Sequence, residues 1–233
     1  MPLRLRHALL IIVAVVVTAT CVRLGLWQLD RLQGRREINA MLDARGALPP
    51  VDVRAPSPDA LLYRYVTATG TYDAASEIVL SGRSFQGVAG NHLLTPLVLD
   101  DTTAVLVDRG WVPLDIASPP ITGAAAAPGG GVTVGGLALP ADADSMAPSS
   151  PAPSVVTRID VGVADLPYDL LPVYVLLTQQ DPAQASGVPA PVPPPVPDEG
   201  PHLSYALQWF AFATIAIVGC GVLLRRDRRR PAE

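Results

Sequence analysis

The stretch Leu203–Leu224, LSYALQWFAFATIAIVGCGVLL, runs for 22 residues without a charge. As a helix at about 1.5 Å per residue it reaches roughly 33 Å, against a bilayer hydrocarbon core of ~30 Å, so it reads as a transmembrane span. Arg225, Arg226, Arg228, Arg229 and Arg230 follow it directly. Basic residues are retained on the cytoplasmic side, which sets the C-terminus there.

Working back to the N-terminus, Ala8–Val22 is apolar and uncharged, Arg23 interrupts, and Leu24–Leu29 continues with Trp27. The uncharged run has the length of a signal-peptide core, but no Ala-x-Ala-like cleavage site follows it. The expectation is an uncleaved first span, with Arg23 snorkelling to the outer headgroups. Local charge does not orient this span, because Arg4 and Arg6 precede it while Arg31, Arg35 and Arg36 follow it. The C-terminal arginines decide the orientation. Two crossings then give a cytoplasmic tail 1–7, a span 8–29, an extracytoplasmic domain 30–181, a Pro-rich linker 182–201, a span 202–224 and a cytoplasmic tail 225–233. Residues 30–200 hold 19 acidic residues and 9 Arg, a net of −10, and the rest of the chain is net +6. A span beginning near residue 8 leaves no room for a mitochondrial presequence, so a bacterial plasma membrane is the expected home.

Composition agrees. The chain has 233 residues, 49% hydrophobic and 16% charged, with mean hydropathy +0.33. Such values argue against disorder and against a plain soluble enzyme. A net charge of −4 gives no general case for nucleic-acid binding. All 17 basic residues are Arg, which excludes a Schiff-base lysine. Cys21 and Cys220 are too few for a disulfide scaffold or a thiolate zinc site. Their expected depths differ by roughly 16 Å, beyond a disulfide's reach of about 7 Å, so both read as small packing residues.

The middle of the chain reads as strands. Leu61–Tyr72, Glu77–Gly82, His92–Leu99, Thr103–Asp108, Val132–Leu139 and Tyr174–Gln179 are rich in β-branched and apolar residues between turn formers. Ser81–Asn91 reads as a hairpin loop, and Pro96 suggests an edge or a bulge. Ile159–Leu166 reads as a short helix ended by Pro167. Ser118–Gly131 and Pro140–Ser154 read as low-complexity loops, and eight prolines in Pro182–Pro201 read as an extended polyproline spacer. The fold class is a membrane protein: two transmembrane helices flank an antiparallel, meander-like, mainly-β domain with minor helix, which a barrel-like closure would complete.

Several side chains could carry chemistry. His202, Tyr205 and Trp209 fall at 0°, about 300° and about 340° around a helix, on one face at the outer mouth of the second span. That face suits a flat porphyrin, with the imidazole as an axial ligand; it equally suits an aromatic belt at the water interface. Arg23, Trp27 and Arg31, at i, i+4 and i+8, form a second stripe able to grip carboxylates or lipid phosphates. Gln208 is set to hydrogen-bond across the helix pair. Arg109 and Trp111 end a strong strand, either as a turn or as a partner-contact patch. His92 with Ser81 or Ser84 and Asp108 lacks the Gly-x-Ser-x-Gly turn of a hydrolase and reads as a satisfied strand histidine.

Five blocks occur in order: GLWQLDR at Gly25–Arg31, GTYD at Gly70–Asp73, NHLLTPLVL at Asn91–Leu99, VLVDRGWVP at Val105–Pro113 and HLSYALQWF at His202–Phe210. Together with two spans they resemble the surfeit locus protein 1 family, assembly factors of haem–copper cytochrome c oxidase, in an actinobacterium-like form. The resemblance covers Gly25 to Phe210. It implies a non-enzymatic role in inserting haem a into the catalytic subunit of the oxidase, with that subunit and the haem a synthesis machinery as partners. It implies that His202, at the position of the family's haem-binding histidine, ligates the iron. With His202 as ligand, the expectation from spacing is that Tyr205, Trp209, Arg23, Trp27 and Arg31 surround the cofactor, while Gln28, Arg109, Trp111 and Gln208 are the expected partner-contact residues. The competing readings are a cofactor-free accessory subunit of a respiratory complex and an extracytoplasmic ligand-binding module.

Overall fold

The structure is a computed structural model that describes residues 3–55, 57–116, 118–141, 154–159, 166–184 and 187–228. Two compact units divide the chain. One comprises residues 1–40 with 197–233, and the other residues 41–196.

The first unit is a helix pair. Helix α1 spans Leu3–Gly46 and α3 spans His202–Arg228. α1 does not stop at Leu29, where the expected span ends. Residues 30–46 are dominated by Arg, Leu, Gln, Glu, Ala and Met, all good helix formers, and a Gln33–Glu37 hydrogen bond of 3.0 Å supports the exposed surface. Gly46 and then Pro49-Pro50 end the helix. The facing surfaces are built from small side chains: Cys21 and Ala206 are buried, as are Gly25 and Ala213. A Cβ on Gly25 would lie 2.6 Å from the Phe210 ring, so the ring packs directly on this glycine and would have to shift for any larger residue. Leu207, Ile215 and many neighbours stay exposed on the outer faces. Thr20 and Thr214 donate back to the carbonyls of Val16 and Phe210, both at 2.9 Å, so these hydroxyls have partners within their own helices. Cys21 and Cys220 are both free thiols.

The second unit is a sheet of eight strands: β1 Val51–Asp52, β2 Tyr65–Tyr72, β3 Ile78–Phe85, β4 Val88–Val98, β5 Thr103–Pro113, β6 Gly131–Pro140, β7 Val155–Val156 and β8 Asp169–Asp181. Their order is β1-β2-β6-β8-β5-β4-β3-β7, and β4 pairs additionally with β2 through Thr71↔Val98 and Tyr72↔Leu97. A Cβ on Gly70 would lie 2.2 Å from the Val98 carbonyl, so only glycine permits this approach of β2 to β4. The sheet is mixed rather than purely antiparallel, because β5–β8, β1–β2 and β3–β7 run parallel. Alternate residues of β2, β5, β6 and β8 (Val66 and Ala68, Val105 and Val107, Val132 and Val134, Val173 and Val175) form the main core. β5 is covered on both faces, since Leu106 packs with Ile78, Leu80 and Leu94 on the other side. That double burial explains its nearly continuous apolar run.

Several expected elements differ. Residues 58–61 form a short helix, α2 (Pro58–Leu61), ahead of β2. The expected loop 81–91 is mostly strand: β3 and β4 are joined by Gln86-Gly87 alone, with φ of 50° and 79°. This is a two-residue turn whose twist matches the strands it joins. Ser and Gly suit a ribbon with few buried side chains as well as they suit a loop. Pro96 lies inside β4 where the partner strand changes from β3 to β2. Its carbonyl accepts the Asp73 N–H at 2.9 Å, so its missing N–H faces that corner and not β5. The low-complexity run 118–131 contains a short 3-10 turn, Gly123–Ala125, with Ala125 buried. Among residues 182–201, Ala190 pairs with Trp111 through backbone hydrogen bonds of 2.9 and 2.7 Å. At Ala190 the proline-rich stretch is therefore laid against β5 and is not a free spacer. Most of the expected 140–154 loop and of the 159–166 helix lies outside the described residues.

Candidate functional site

Residues 198–202 lead into α3. The Asp198 carboxylate accepts the Gly200 N–H at 3.0 Å. Glu199 takes a bidentate pair of hydrogen bonds from Arg36 of α1 at 2.8 and 3.0 Å, and this bonding holds its carboxyl below the ordinary range. His202 is the first residue of the helix, half-buried, and its Nδ1 lies 2.8 Å from Oε1 of Gln28.

Beside this contact is an open cleft of about 620 Å³, lined by Trp27, Asp30, Arg31, Gly34, Arg35, Ile38 and His202. The spacing of the α1 residues is that of one helix face, extended about three turns past Trp27. The Arg31 guanidinium lies 5.6 Å from the centroid of the Trp27 ring. The cleft falls in the size range of small-molecule sites. It combines one imidazole, two guanidiniums, one carboxylate and an indole. Such a set can ligate a metal through nitrogen, pair with carboxylates and pack a flat ring.

Of the residues singled out in the sequence, His202, Trp27 and Arg31 come together in this cleft. Tyr205, Trp209 and Arg23 are not among its walls. Tyr205 and Arg23 are exposed, and Trp209 packs edge-to-face on Phe212 at 5.9 Å and 82°. The hydrogen bond across the helix pair comes from Gln28, while Gln208 is exposed. Gln28 is thus half-buried and bonded within the helix pair. Asp30, Gly34, Arg35 and Ile38 were missed because the first helix was ended at Leu29; continuing an i, i+3, i+4, i+7 pattern from Trp27 would have found them.

The sheet unit holds a different constellation. A bulge in β5 opposes Leu93 and Leu94 to Gly110 and Asp108, leaving Arg109 as the extra residue. The bulge re-aims its side chain into the interior, where it is fully buried. Arg109 donates to Glu77 Oε1, to the carbonyls of Ala125 and Ala126 and to Gln184 Oε1, all at 2.9 Å, and lies over the Tyr72 ring. Thr95 Oγ1 donates to the same Glu77 oxygen at 2.5 Å. Burial pushes the Glu77 carboxyl up, against the pull of Thr95 and Arg109. The same burial pushes the Tyr72 phenol up. The partner-contact reading of Arg109 is corrected by this geometry, since a guanidinium so enclosed has no surface to offer. Trp111 is half-buried against Phe85, with ring centroids 6.0 Å apart. His92 Nδ1 lies 2.8 Å from Asp108 Oδ2, while Ser81 donates to the Val156 carbonyl at 3.1 Å and does not reach the imidazole. Asp73, which closes the GTYD block, caps the 3-10 turn Ala74–Ser76. Burial raises its carboxyl, but hydrogen bonds from Ser76, Tyr168 and the Ala75 N–H prevail and hold it below its ordinary value.

Comparison with known proteins covers both units. The family model described as SURF1 family matches residues 15–214. An uncharacterised SURF1-like protein of Mycobacterium bovis is 31% identical over 249 aligned positions, covering 96% of this chain and 86% of the relative. A SURF1-like protein of Monosiga brevicollis is 28% identical over 218, covering 87% and 82%. The cytochrome oxidase assembly protein Shy1 of Saccharomyces cerevisiae is 31% identical over 101, covering 41% of this chain and 26% of its own. The matched region takes in the facing helix residues Gly25, Gln28 and His202, the β2–β4 approach at Gly70 and the β5 bulge at Arg109, and the chain belongs to the SURF1 family.

Proposed function

We propose that this protein is a non-enzymatic, membrane-anchored assembly factor for haem–copper cytochrome c oxidase, and that the His202 cleft holds haem a for insertion into the catalytic subunit. The oxidase role is supported by family membership and by the name of the yeast relative, an oxidase assembly protein. Anchoring is supported by two helices, Leu5–Gly46 and His202–Arg226, long and apolar enough to cross a membrane. The contiguous apolar faces they expose would be costly in water. The arginines after Leu224 favour cytoplasmic termini and an extracytoplasmic sheet unit in a bacterial cell membrane. The β2–β4 ladder supports barrel-like closure of that unit.

The observation that carries the haem reading is the donor set of the cleft. His202 directs Nδ1 to Gln28, which leaves Nε2 as a lone-pair donor for iron. Arg31 and Arg35 stand in the same cleft as partners for two carboxylates, and Trp27 and Ile38 offer apolar surface. When bound, haem would supply an iron that takes a nitrogen ligand and carboxylates that pair with guanidinium. The cleft is open and has a single histidine, so binding is reversible, as handing a cofactor on requires.

The test is to purify the full chain in detergent from cells that make haem a and to record its absorption spectrum. His202→Ala is expected to lose the co-purifying haem signal, and an Arg31→Gln/Arg35→Gln double variant to weaken it. The double variant should bind a haem with esterified propionates as the wild type does. An unchanged haem spectrum in His202→Ala refutes the ligand assignment. Deletion of the gene should remove the haem a absorbance of the membranes and leave other cytochromes intact.

A further inference from the structure

We infer that Gln28 is the positioning residue of the site: it fixes the His202 ring as the Nδ1–H tautomer and presents Nε2 to the cleft. The inference rests on the proposed role of His202 as a ligand and adds the group that prepares it. It starts from the packing of the helix pair. Cys21, Gly25 and Leu32 form the buried seam of α1, at intervals of four and seven residues. Gln28 occupies the remaining position of that seam, three residues after Gly25 and four before Leu32. It is a long polar side chain in a row otherwise made of small or apolar ones. A carboxamide held between two packed helices costs stability unless it is hydrogen-bonded.

Its partner is the one imidazole on the facing helix. The contact is Gln28 Oε1 to His202 Nδ1 at 2.8 Å. An amide oxygen only accepts, so Nδ1 carries the hydrogen in this contact, and in the neutral imidazole Nε2 is then the lone-pair nitrogen. Metal-binding histidines are commonly prepared in this way, by a hydrogen bond to the other ring nitrogen that sets tautomer and ring orientation. The surroundings hold the arrangement. The close approach at Gly25 brings α3 near α1 one turn below, and the Arg36–Glu199 bonds fasten the turn before His202 to α1 above. Gln28 itself is not among the residues lining the cleft, so its effect on a ligand passes through His202.

The experiment uses the full-length protein in detergent with two readouts. The first is nitrogen NMR of histidine-labelled, ligand-free protein, with His202→Ala identifying the His202 signals. The wild type should show a protonated Nδ1 and a bare Nε2. Gln28→Leu should lose that preference, while Gln28→Glu, which keeps an acceptor oxygen, should retain it. The second is titration with haemin, followed by its absorption. Gln28→Leu should weaken binding by about 10–100-fold, the usual effect of removing such a supporting group, and Gln28→Glu should restore most of it. Helical circular dichroism confirms that each variant keeps its fold, and the Glu variant covers the case in which Leu disturbs the seam. If His202→Ala loses haemin while Gln28→Leu keeps both tautomer and affinity, the positioning role is overturned and the ligand assignment stands. If His202→Ala binds haemin as the wild type does, the functional reading fails and this assignment fails with it.

Discussion

Replacing Arg109 with Ala should destabilise the sheet unit by at least about 3 kcal/mol, although the side chain touches no solvent and no cofactor. The magnitude follows from what is left behind. Glu77 would keep only its Thr95 hydrogen bond, and its second oxygen already has no partner among the described residues. Breaking a buried ion pair by removing one member costs about 3–5 kcal/mol, because the remaining charge stays desolvated. The Ala125 carbonyl would also lose its donor, at about 1–3 kcal/mol where water does not replace it, while the Ala126 carbonyl keeps a second one from Gln184 at 3.2 Å. The unit 41–196 has 156 residues. For domains of about 150–250 residues each kcal/mol shifts Tm by about 2–4 °C, so 3–5 kcal/mol is a fall on the order of 10 °C. The assay is thermal unfolding of the full chain in detergent, followed by near-ultraviolet circular dichroism. A Glu77→Leu/Arg109→Met double variant removes both charges together and should cost less than Arg109→Ala alone, since a well-packed apolar pair can replace a buried ion pair at little penalty. If Arg109→Ala shifts Tm by less than about 2 °C, equivalent to under about 1 kcal/mol, or if the double variant is worse than the single, the buried-network reasoning is wrong. The surface-anchor reading of Arg109 would then regain its standing.

Two further outcomes are expected in the same unit. Gly70→Val should lower Tm, because its Cβ would meet the Val98 carbonyl at 2.2 Å and part β2 from β4; overpacking of this kind costs about 1–3 kcal/mol, and an unchanged Tm would mean that the β2–β4 contact is dispensable. Asp73→Asn should be less stable than the wild type at pH 7, with the difference closing in acid. The folded carboxyl is held below its unfolded value of about 3.9, so its contribution is complete above that pH and is lost as pH falls through the lower, folded value. Melting curves from pH 7 to 3 that run parallel for the two proteins would contradict this.

The charge-free run Leu203–Leu224 and the motif blocks made the two helices and the β character legible in the sequence, because both depend on local composition. What escaped was set by tertiary contact. The expected end of the first span at Leu29 followed hydropathy, whereas the helix follows propensity, and Arg, Gln and Glu extend it to Gly46 without any apolar signal. Five of the seven cleft residues lie in that extension. The glycines and serines of 81–91 look like loop residues, yet the register of β4 between β3 and β5 draws them into strand. Arg109 looks exposed because arginine usually is; only the β5 bulge, which no local pattern announces, turns it inward. His202 was legible as a candidate from its helix-mouth position. Its partner Gln28 was legible only as a motif letter, since hydrogen-bonding across two segments 174 residues apart leaves no trace in spacing.

The arginines of this chain divide according to what is bonded to them, and that division bears on what the cleft can do. Arg109 is committed: a carboxylate, two carbonyls and a carboxamide bond its two terminal nitrogens and fix it inside the sheet unit, where it holds structure. Arg36 is spent on Glu199. Arg31 and Arg35 are exposed, and among the described residues no carboxylate is hydrogen-bonded to either. An exposed guanidinium interacts through a high dielectric, so each contact with a ligand carboxylate is worth little and is screened by salt. Under the proposed function, a nitrogen ligand prepared by Gln28 would supply a directional bond, while two such guanidiniums would orient the ligand without trapping it. On the proposed reading, that combination suits transfer better than storage: the bond that identifies the cargo is held ready, and the charges that hold its far end are weak enough to be exchanged for those of a deeper site.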